Sequence, residues 1–495
     1  MTPTHQTILA LARAGNPVRA WSLFQSSGLS KVENDPKVFT LKGRLLKDLA
    51  RRASGDERNR LYSQASDAYL AANALGEDSY PLINAAALAC FAGDHARAGR
   101  IAQDVLQLIE NDPNEGETAY WREATRAEAH LLLRQMDQAT AALALAYKRL
   151  PFAHEDQAAT LGQFDRILEA QGEEALWLEP FRVPCSVNFV SNESTPAEAI
   201  DTASDAVKAI ASSLEDLSPG YGFGGLLSVP DLLFAEQALE CGAELTLTFP
   251  FEPDDVGRDV FAPHGADWER RFHRAIANAA LVETLPSAIA ETQLSNGEAK
   301  TVTQLVAMGQ SLRKSEALRS RAHAMVWPQS GHSNALGLAL WSAAGLPVCE
   351  VQGTKLRPVA PNRQDKRASL SGLVLTNDPE ALGPVAERYG LSEVVEGNGL
   401  IWRGTMERVI DAALSCSQHT DTTLAVHLGL PDSHRIWDGL SERMERLARA
   451  NHRAKVKMGL QSAMIAKIVR PALRIEELGE IQTLSGHASI WSAIV

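Results

Sequence analysis

Several signatures of well-known protein classes are missing from this 495-residue chain. No run of about 20 apolar residues, the length that crosses a bilayer, occurs in it. The first residues, Met1-Thr2-Pro3-Thr4-His5, lack the basic start and apolar core of a secretory signal. We therefore expect a cytoplasmic protein with no membrane partner.

Cysteine is scarce and scattered. The five cysteines contain no CxxC pair, which disfavours both a disulfide framework and a zinc site built on thiolates. HExxH, P-loop and GxSxG motifs are also absent, so zinc-protease, P-loop and hydrolase interpretations have no support. We expect no metal and no resident cofactor.

Basic residues are outnumbered by acidic ones, giving a formal charge of -13. This balance argues against a nucleic-acid partner, which would require a basic surface. With 45% hydrophobic and 22% charged residues, the chain is globular, and its length corresponds to roughly three domains.

Residues 1–178 are predicted to be paired helices. Alanine and leucine recur at helical spacing, Ala92-Gly93-Asp94 separates two helices, and Ser79 is a plausible N-cap of the helix before that turn. The pattern is that of a tetratricopeptide-like helical repeat, with an irregular helical bundle as the alternative. Trp121 is interpreted as a core residue, because Ala124 and Ala127 follow at helical spacing.

Residues 184–353 alternate between strand and helix patterns, which predicts a Rossmann-like parallel sheet. Ligands of such sheets bind beyond the carboxyl ends of the strands. A glycine-rich segment that includes Gly222, Gly224 and Gly225 is either a phosphate cradle or a flexible strand-to-helix loop. Residues 366–495 are predicted to form a further α+β domain.

Other candidate ligand contacts lie in two places. Ser330, Gly331 and His332 follow a predicted strand. His332 is a candidate phosphate contact, but capping of the next helix by Ser333 or Asn334 is the favoured interpretation of this segment. Asp231 and Glu236 have helical spacing. Capping and solvent-facing charge are their simpler roles, with a catalytic pair as the alternative.

Segments in all three regions resemble one bacterial architecture. Tyr80-Pro81-Leu82-Ile83-Asn84 resembles the repeat opening found also in apoptosis signal-regulating kinases. Asp231-Leu232-Leu233-Phe234 and Asp267-Trp268-Glu269-Arg270 resemble a nucleotide-sensing, SLOG-type Rossmann-like domain. Val426-His427-Leu428-Gly429 is similar to a core strand of class III adenylate/guanylate cyclases. The resemblance implies a tetratricopeptide-repeat protein with these two further domains.

The cyclase resemblance lacks the residues that carry its chemistry. Leu373 and Asn398 stand where that family holds Mg²⁺ with two aspartates, and neither supplies the anionic oxygen that a hard cation needs. Arg446 matches the family's transition-state arginine, but Glu442 stands at the asparagine position and would repel a triphosphate.

These departures favour a signalling regulator or scaffold over an enzyme, with no catalytic residues to name. The repeats are expected to bind a protein partner and the middle domain a nucleotide-type ligand. The degenerate cyclase domain is expected to form a homodimer or to pair with an active cyclase. The alternatives are a nucleotide-processing enzyme that uses the middle domain, and a residually active nucleotidyl cyclase.

Overall fold

The chain divides into two compact units, Met1–Arg182 and Val183–Val495. The first is helical and the second is built on two sheets. The computed structural model describes residues 5–13, 16–76, 78–112, 118–182, 184–191, 205–285, 296–327, 336–351, 370–376, 378–396, 399–431, 438–449, 454–483 and 486–494.

The helices of the first unit form a packed series, in which each of the first seven packs on the next one and the ninth packs on the fifth and the seventh. They are α1 (His5–Arg13), α2 (Pro17–Ser26), α3 (Pro36–Ala50), α4 (Gly55–Gly76), α5 (Ser79–Phe91), α6 (His95–Asn111), α7 (Ala119–Leu132), α8 (Met136–Arg149) and α9 (His154–Gln171). Small side chains allow close approach, and Ala85 and Ala86 of α5 are fully buried. The predicted helical-repeat region is confirmed.

Helix boundaries in this unit follow local capping chemistry. The turn at Ala92-Gly93-Asp94 separates α5 from α6 as predicted, and Gly93 has a left-handed φ of 86° that favours glycine. The prediction of Ser79 as an N-cap is wrong. Asp78 caps α5, because its extended backbone lets its carboxylate accept from the Tyr80 N–H at 2.9 Å, whereas Ser79 is already helical.

Tyr120, rather than Trp121, is the fully buried aromatic of α7. The Tyr120 hydroxyl lies 3.0 Å from Thr160 Oγ1 of α9, and the half-buried Trp121 ring meets the tyrosine edge-on. Trp121 therefore packs at the edge of the core rather than inside it.

A six-stranded parallel sheet opens the second unit, in the order β4-β3-β2-β1-β5-β6. Its strands are β1 (Cys185–Val190), β2 (Pro219–Gly224), β3 (Glu244–Phe249), β4 (Leu281–Thr284), β5 (Ala322–Val326) and β6 (Val348–Glu350). The associated helices are α10 (Asp205–Leu217), α11 (Val229–Glu240), α12 (Pro253–Val256), α13 (Ala266–Asn278), α14 (Asn296–Ala317) and α15 (Leu336–Ala343). The predicted Rossmann-like parallel sheet is confirmed.

The second sheet is mixed and seven-stranded, in the order β12-β13-β11-β10-β7-β9-β8. Its elements are β7 (Leu370–Thr376), α16 (Pro379–Arg388), β8 (Ser392–Glu396), β9 (Gly399–Thr405), α17 (Met406–His419), β10 (Leu424–Pro431), α18 (Asp438–Arg449), β11 (Val456–Gly459), α19 (Leu460–Val469), β12 (Arg474–Thr483) and β13 (Gly486–Ile494). Elements β7 to β10 form a split βαβ arrangement, since β7 lies between β9 and β10.

Two helices join the sheets. Helix α14 packs under the parallel sheet and also against α19 of the mixed sheet. At their contact, a Cβ placed on Gly309 would lie 2.2 Å from the carbonyl oxygen of Met464, so only glycine fits. Nearby, the buried Lys467 ammonium pairs with Glu316 at 2.5 Å and donates to the Leu473 carbonyl. In the described part of the chain, no helix has the length and apolarity needed to cross a bilayer.

Replacing Gly309 with alanine should destabilise the second unit by up to about 2 kcal/mol. A methyl group would push against helix backbone, and overpacking of this kind costs about 1–3 kcal/mol, against a gain of about 1 kcal/mol in helix propensity. Calorimetry and urea unfolding of the full chain measure the change.

Gly99→Ala is the matched control. Gly99 also lies inside a helix, α6, but its nearest neighbour beyond that helix, Leu133 Cδ2, would be an ordinary 3.8 Å from the new Cβ. This variant should be neutral or stabilising by up to about 1 kcal/mol. Equal effects of the two substitutions would show that the α14–α19 contact is not tight.

Candidate ligand site at the edge of the parallel sheet

The parallel sheet changes direction at β1. The chain runs from β1 to β2 on one side and later returns to β5 on the other, so the carboxyl ends of these strands flank the reversal. Parallel sheets bind ligands at such points. The residues directly after β1 and β5 are Ser191 and Trp327, and both are buried.

The glycine-rich segment is a strand, β2, for most of its length, so its interpretation as a loop is wrong. The glycines make room for a neighbouring side chain. A Cβ on Gly222 would approach the Phe189 ring to 3.3 Å, and one on Gly224 would approach it to 2.5 Å. Phe189 in turn stacks on Phe234 of α11, with ring centroids 5.5 Å apart. Close packing of strand and helix therefore explains these two glycines.

Gly225 follows β2 and lies nearer to the reversal point. A Cβ there would lie 2.9 Å from the Thr248 carbonyl oxygen and 2.8 Å from the Thr303 methyl carbon of α14. The backbone of this segment is thus enclosed by β3 and α14. Its part in ligand binding stays a prediction.

Asp231 is a buried hydrogen-bonding hub, with an exposed fraction of only 4%. One carboxylate oxygen accepts from the Leu227 N–H at 3.1 Å, and the other accepts from the Ser191 hydroxyl. Ser228 caps α11 by accepting from the Asp231 N–H at 3.4 Å, and its hydroxyl lies 2.8 Å from that of Ser191. These bonds tie the loop after β2 to the end of β1.

The buried Asp231 carboxylate bears on the prediction that the glycine-rich segment binds a phosphate. A carboxylate in the first turn of α11 already interacts favourably with the positive end of that helix. It would repel a phosphate placed at the same helix terminus. The edge is therefore better suited to a neutral polar group or a hydrogen-bond donor than to a phosphate against α11.

Glu236 has separate partners and is not brought together with Asp231. Its carboxylate accepts two bonds from Arg271 of α13, at 2.9 and 2.5 Å, and lies 3.5 Å from Arg274. The Arg271 guanidinium also lies 4.2 Å over the Trp268 ring. Glu236 thus fastens α11 to α13.

The remaining candidates at this edge, Ser330, Gly331 and His332, lie outside the described residues. Trp327, just before them, is 1% exposed and meets Phe234 edge-on at 6.0 Å. Its indole Nε1 has no hydrogen-bond partner among the described residues. A buried N–H without a partner is costly, so this donor marks a position where a polar group would be stabilised.

Of the two positions that the cyclase resemblance predicted to have lost metal ligands, Leu373 lies in the second sheet. Leu373 is fully buried in the interior strand β7, in an apolar cluster with Ile401, Met444 and Leu447. Asn398 lies outside the described residues, as does the Glu442 side chain. Among the described residues, no group of three or more His, Cys, Asp or Glu side chains is placed to hold a metal ion.

Asp231→Asn should destabilise the second unit by about 1–3 kcal/mol. The amide keeps the shape but places an NH₂ group against a donor, Leu227 N–H or Ser191 Oγ–H, and leaves a buried polar group unsatisfied. Urea unfolding measures the change. Asp259→Asn is the control, since Asp259 is 72% exposed in a surface ion pair, and it should change stability by less than about 0.5 kcal/mol. If both variants unfold at the same midpoint, the Asp231 hub is dispensable.

Comparison with known proteins bears on the first unit. The profile of a family described as Tetratricopeptide Repeats-Sensor matches residues 4–89, which end within α5. No curated protein matches the chain at a significant level. The match agrees with the stacked helices of this region, and repeats of this type generally present surfaces for protein–protein interaction.

Proposed function

We propose that this chain is a non-catalytic signalling regulator. Its helical repeats bind a protein partner, and its parallel sheet binds a nucleotide-type ligand. Its C-terminal sheet is a cyclase-like domain without metal aspartates, which pairs with a second copy or with an active cyclase. Repeats of the sensor family at residues 4–89 support the first of these roles.

The observation that carries the proposal is the environment of Leu373. This side chain is 0% exposed and surrounded by apolar residues of β9 and α18. A metal-binding carboxylate needs polar surroundings and access for a hydrated cation. The position serves as core, so the loss of cyclase chemistry extends beyond one side chain to the whole environment of the first metal ligand.

Support for a ligand at the parallel sheet comes from Trp327 and Ser191 at the strand ends. The Trp327 indole N–H, which has no partner within the described part of the chain, suits an acceptor such as a base nitrogen or carbonyl. The Asp231 carboxylate favours hydroxyl or amino donors, such as those of a ribose or base, over phosphate. Both Asp231 and Glu236 already hold structural bonds, which favours a sensor over a nucleotide-processing enzyme.

The purified protein should make no cyclic nucleotide from ATP or GTP with Mg²⁺ or Mn²⁺. Leu373→Asp together with Asn398→Asp should not restore activity, because the first carboxylate would be buried in an apolar cluster and Glu442 would remain. A cyclic-nucleotide assay of both proteins checks this. Turnover above a heat-killed control that Arg446→Ala abolishes would contradict the proposal.

Adenosine, guanosine and their 5′-monophosphates provide a test of the ligand role. A compound bound at the sheet edge should raise the unfolding temperature of the full chain, because ligand binding stabilises the folded state. Trp327→Phe should reduce that shift, since it removes the indole N–H. Trp402→Phe, a buried tryptophan of the other sheet, is the control and should preserve it. A shift unchanged in both Trp327→Phe and Ser191→Ala would place the ligand elsewhere.

A further inference from the structure

An open pocket lies in the first unit between α2, α3 and α4. Helices α2 and α4 both pack on α3, but they make few contacts with each other, which leaves a groove over the C-terminal part of α3. The pocket in this groove, which we term the α3 pocket, has a volume of about 460 Å³. Pockets that hold ligands or anchoring side chains commonly have volumes of about 300–1,000 Å³.

The floor of the α3 pocket is apolar and belongs to the core of the unit. Leu46 is buried there, and Ala53 and Leu61 are half-buried beside it. Trp21 of α2 forms a wall, and its ring stacks on the buried Phe24 ring with centroids 5.6 Å apart. Because the fold already holds these side chains in place, little ordering is needed when a partner binds, and such preorganisation favours affinity.

Apolar surface continues from the pocket along α2. Val18 lies three residues before Trp21, on the same face of the helix, and is 60% exposed. Exposed apolar surface of this kind marks sites that bind other proteins, whereas a small-molecule site buries most of its ligand. The α3 pocket is open to solvent, so a small molecule would remain largely exposed in it. A side chain inserted by another protein would be covered by the rest of that protein.

Positive charge predominates around the pocket. Residues 36–64, which span α3 and the N-terminal half of α4, contain eight basic and three acidic residues, so their formal charge is +5 in a chain of -13. The exposed rim of the pocket carries Arg52, Arg60 and Gln64 together with Glu57. Arg60 is already paired, since it donates to Glu57 at 2.9 and 2.7 Å. The positive field therefore comes from the whole segment rather than from one unpaired cation.

We propose that the α3 pocket binds an acidic segment of a partner protein by taking in one large apolar side chain of that segment. The floor formed by Leu46 and Leu61 and the Trp21 wall accept the apolar side chain, as pockets at protein interfaces accept an anchor residue. Carboxylates on either side of that anchor lie in the positive field of residues 36–64. This site rests on the proposed function, in which the repeats bind a protein, and it specifies the chemistry of the segment that they bind.

Fluorescence polarisation of labelled synthetic peptides with the full chain tests the proposal. The probe is an acidic peptide with blocked ends, in which glutamates flank one phenylalanine on both sides. A peptide with alanine in place of the phenylalanine should bind at least about tenfold more weakly, because the anchor side chain supplies most of the binding energy of such a contact. A peptide with lysines in place of the glutamates should also bind at least about tenfold more weakly. Affinity for the acidic probe should fall as the salt concentration rises.

Filling the pocket should abolish this binding. Ala53→Trp places a large ring among the lining residues and should weaken binding of the acidic probe at least about tenfold. Ala144→Trp is the matched control, because Ala144 is an exposed alanine of α8 outside the pocket, and it should leave the affinity unchanged. Unfolding curves of both variants separate loss of binding from loss of fold.

Glu57→Gln is the most discriminating variant, because it should tighten binding of the acidic probe about two- to fivefold, the usual scale for an exposed charge. It removes a rim carboxylate and releases Arg60 for the peptide. Arg52→Gln should weaken binding by a similar factor. Arg149→Gln removes the same charge from an exposed arginine at the end of α8 and should have little effect.

Several outcomes would overturn the proposal. Absence of binding of the acidic probe would do so, as would equal binding of the alanine or lysine peptide. Unchanged affinity of a folded Ala53→Trp protein would place the peptide elsewhere. Binding of phenylacetate as tight as that of the acidic probe would assign the pocket to small carboxylates and refute its role in binding a protein.

Failure of this site and failure of the proposed function are distinguishable. A partner protein retained equally by the full chain and by its Ala53→Trp variant would refute the α3 pocket but leave the protein-binding role of the repeats intact. If the full chain retains no protein and the acidic probe does not bind, both are refuted.

Discussion

The second unit depends on the close approach of α14 and α19 at Gly309. Because the backbone of Met464 occupies the space of a side chain, the two helices are fixed in register at this point. The apolar core around this contact is continuous: residues of α14, of α19 and of both sheets belong to one cluster. The parallel and mixed sheets therefore form one compact unit rather than two independently packed bodies.

Helix α14 also links the proposed ligand edge with the C-terminal sheet through polar contacts. Gln310 accepts from Thr248 of β3 at 3.1 Å and donates to Glu283 of β4 at 2.5 Å. One turn further on, the Arg313 guanidinium lies 3.8 Å from Glu477 of β12 and 4.3 Å over the Trp491 ring of β13. Helix α14 is therefore an element in direct contact with both sheets.

The sequence predicted alternating strands and helices well but missed the elements that depend on tertiary contacts. Helix α14 lies between two layers, so its apolar residues do not form a single stripe and its periodicity is weak. Strand β2 is rich in glycine, a poor strand former, and exists because Phe189 fills the space above it. Strand β12 carries several charged residues, as edge strands often do. Its sequence alone therefore does not predict a strand, which forms by pairing with β13.

The candidate sites show the same limit. Asp231 was singled out by its helical spacing with Glu236. Its hydrogen bonds to Ser191 and Leu227 were not predicted, because pairing between different strand ends depends on register.

The burial of Leu373 gives the proposed loss of catalysis a structural consequence. A charged carboxylate in the middle of β7 would weaken the packing of α18, whose Met444 and Leu447 rest on this strand. On the proposed function, leucine at this position avoids that cost, and the cyclase-like sheet acts through its packing and its surface rather than through chemistry of its own.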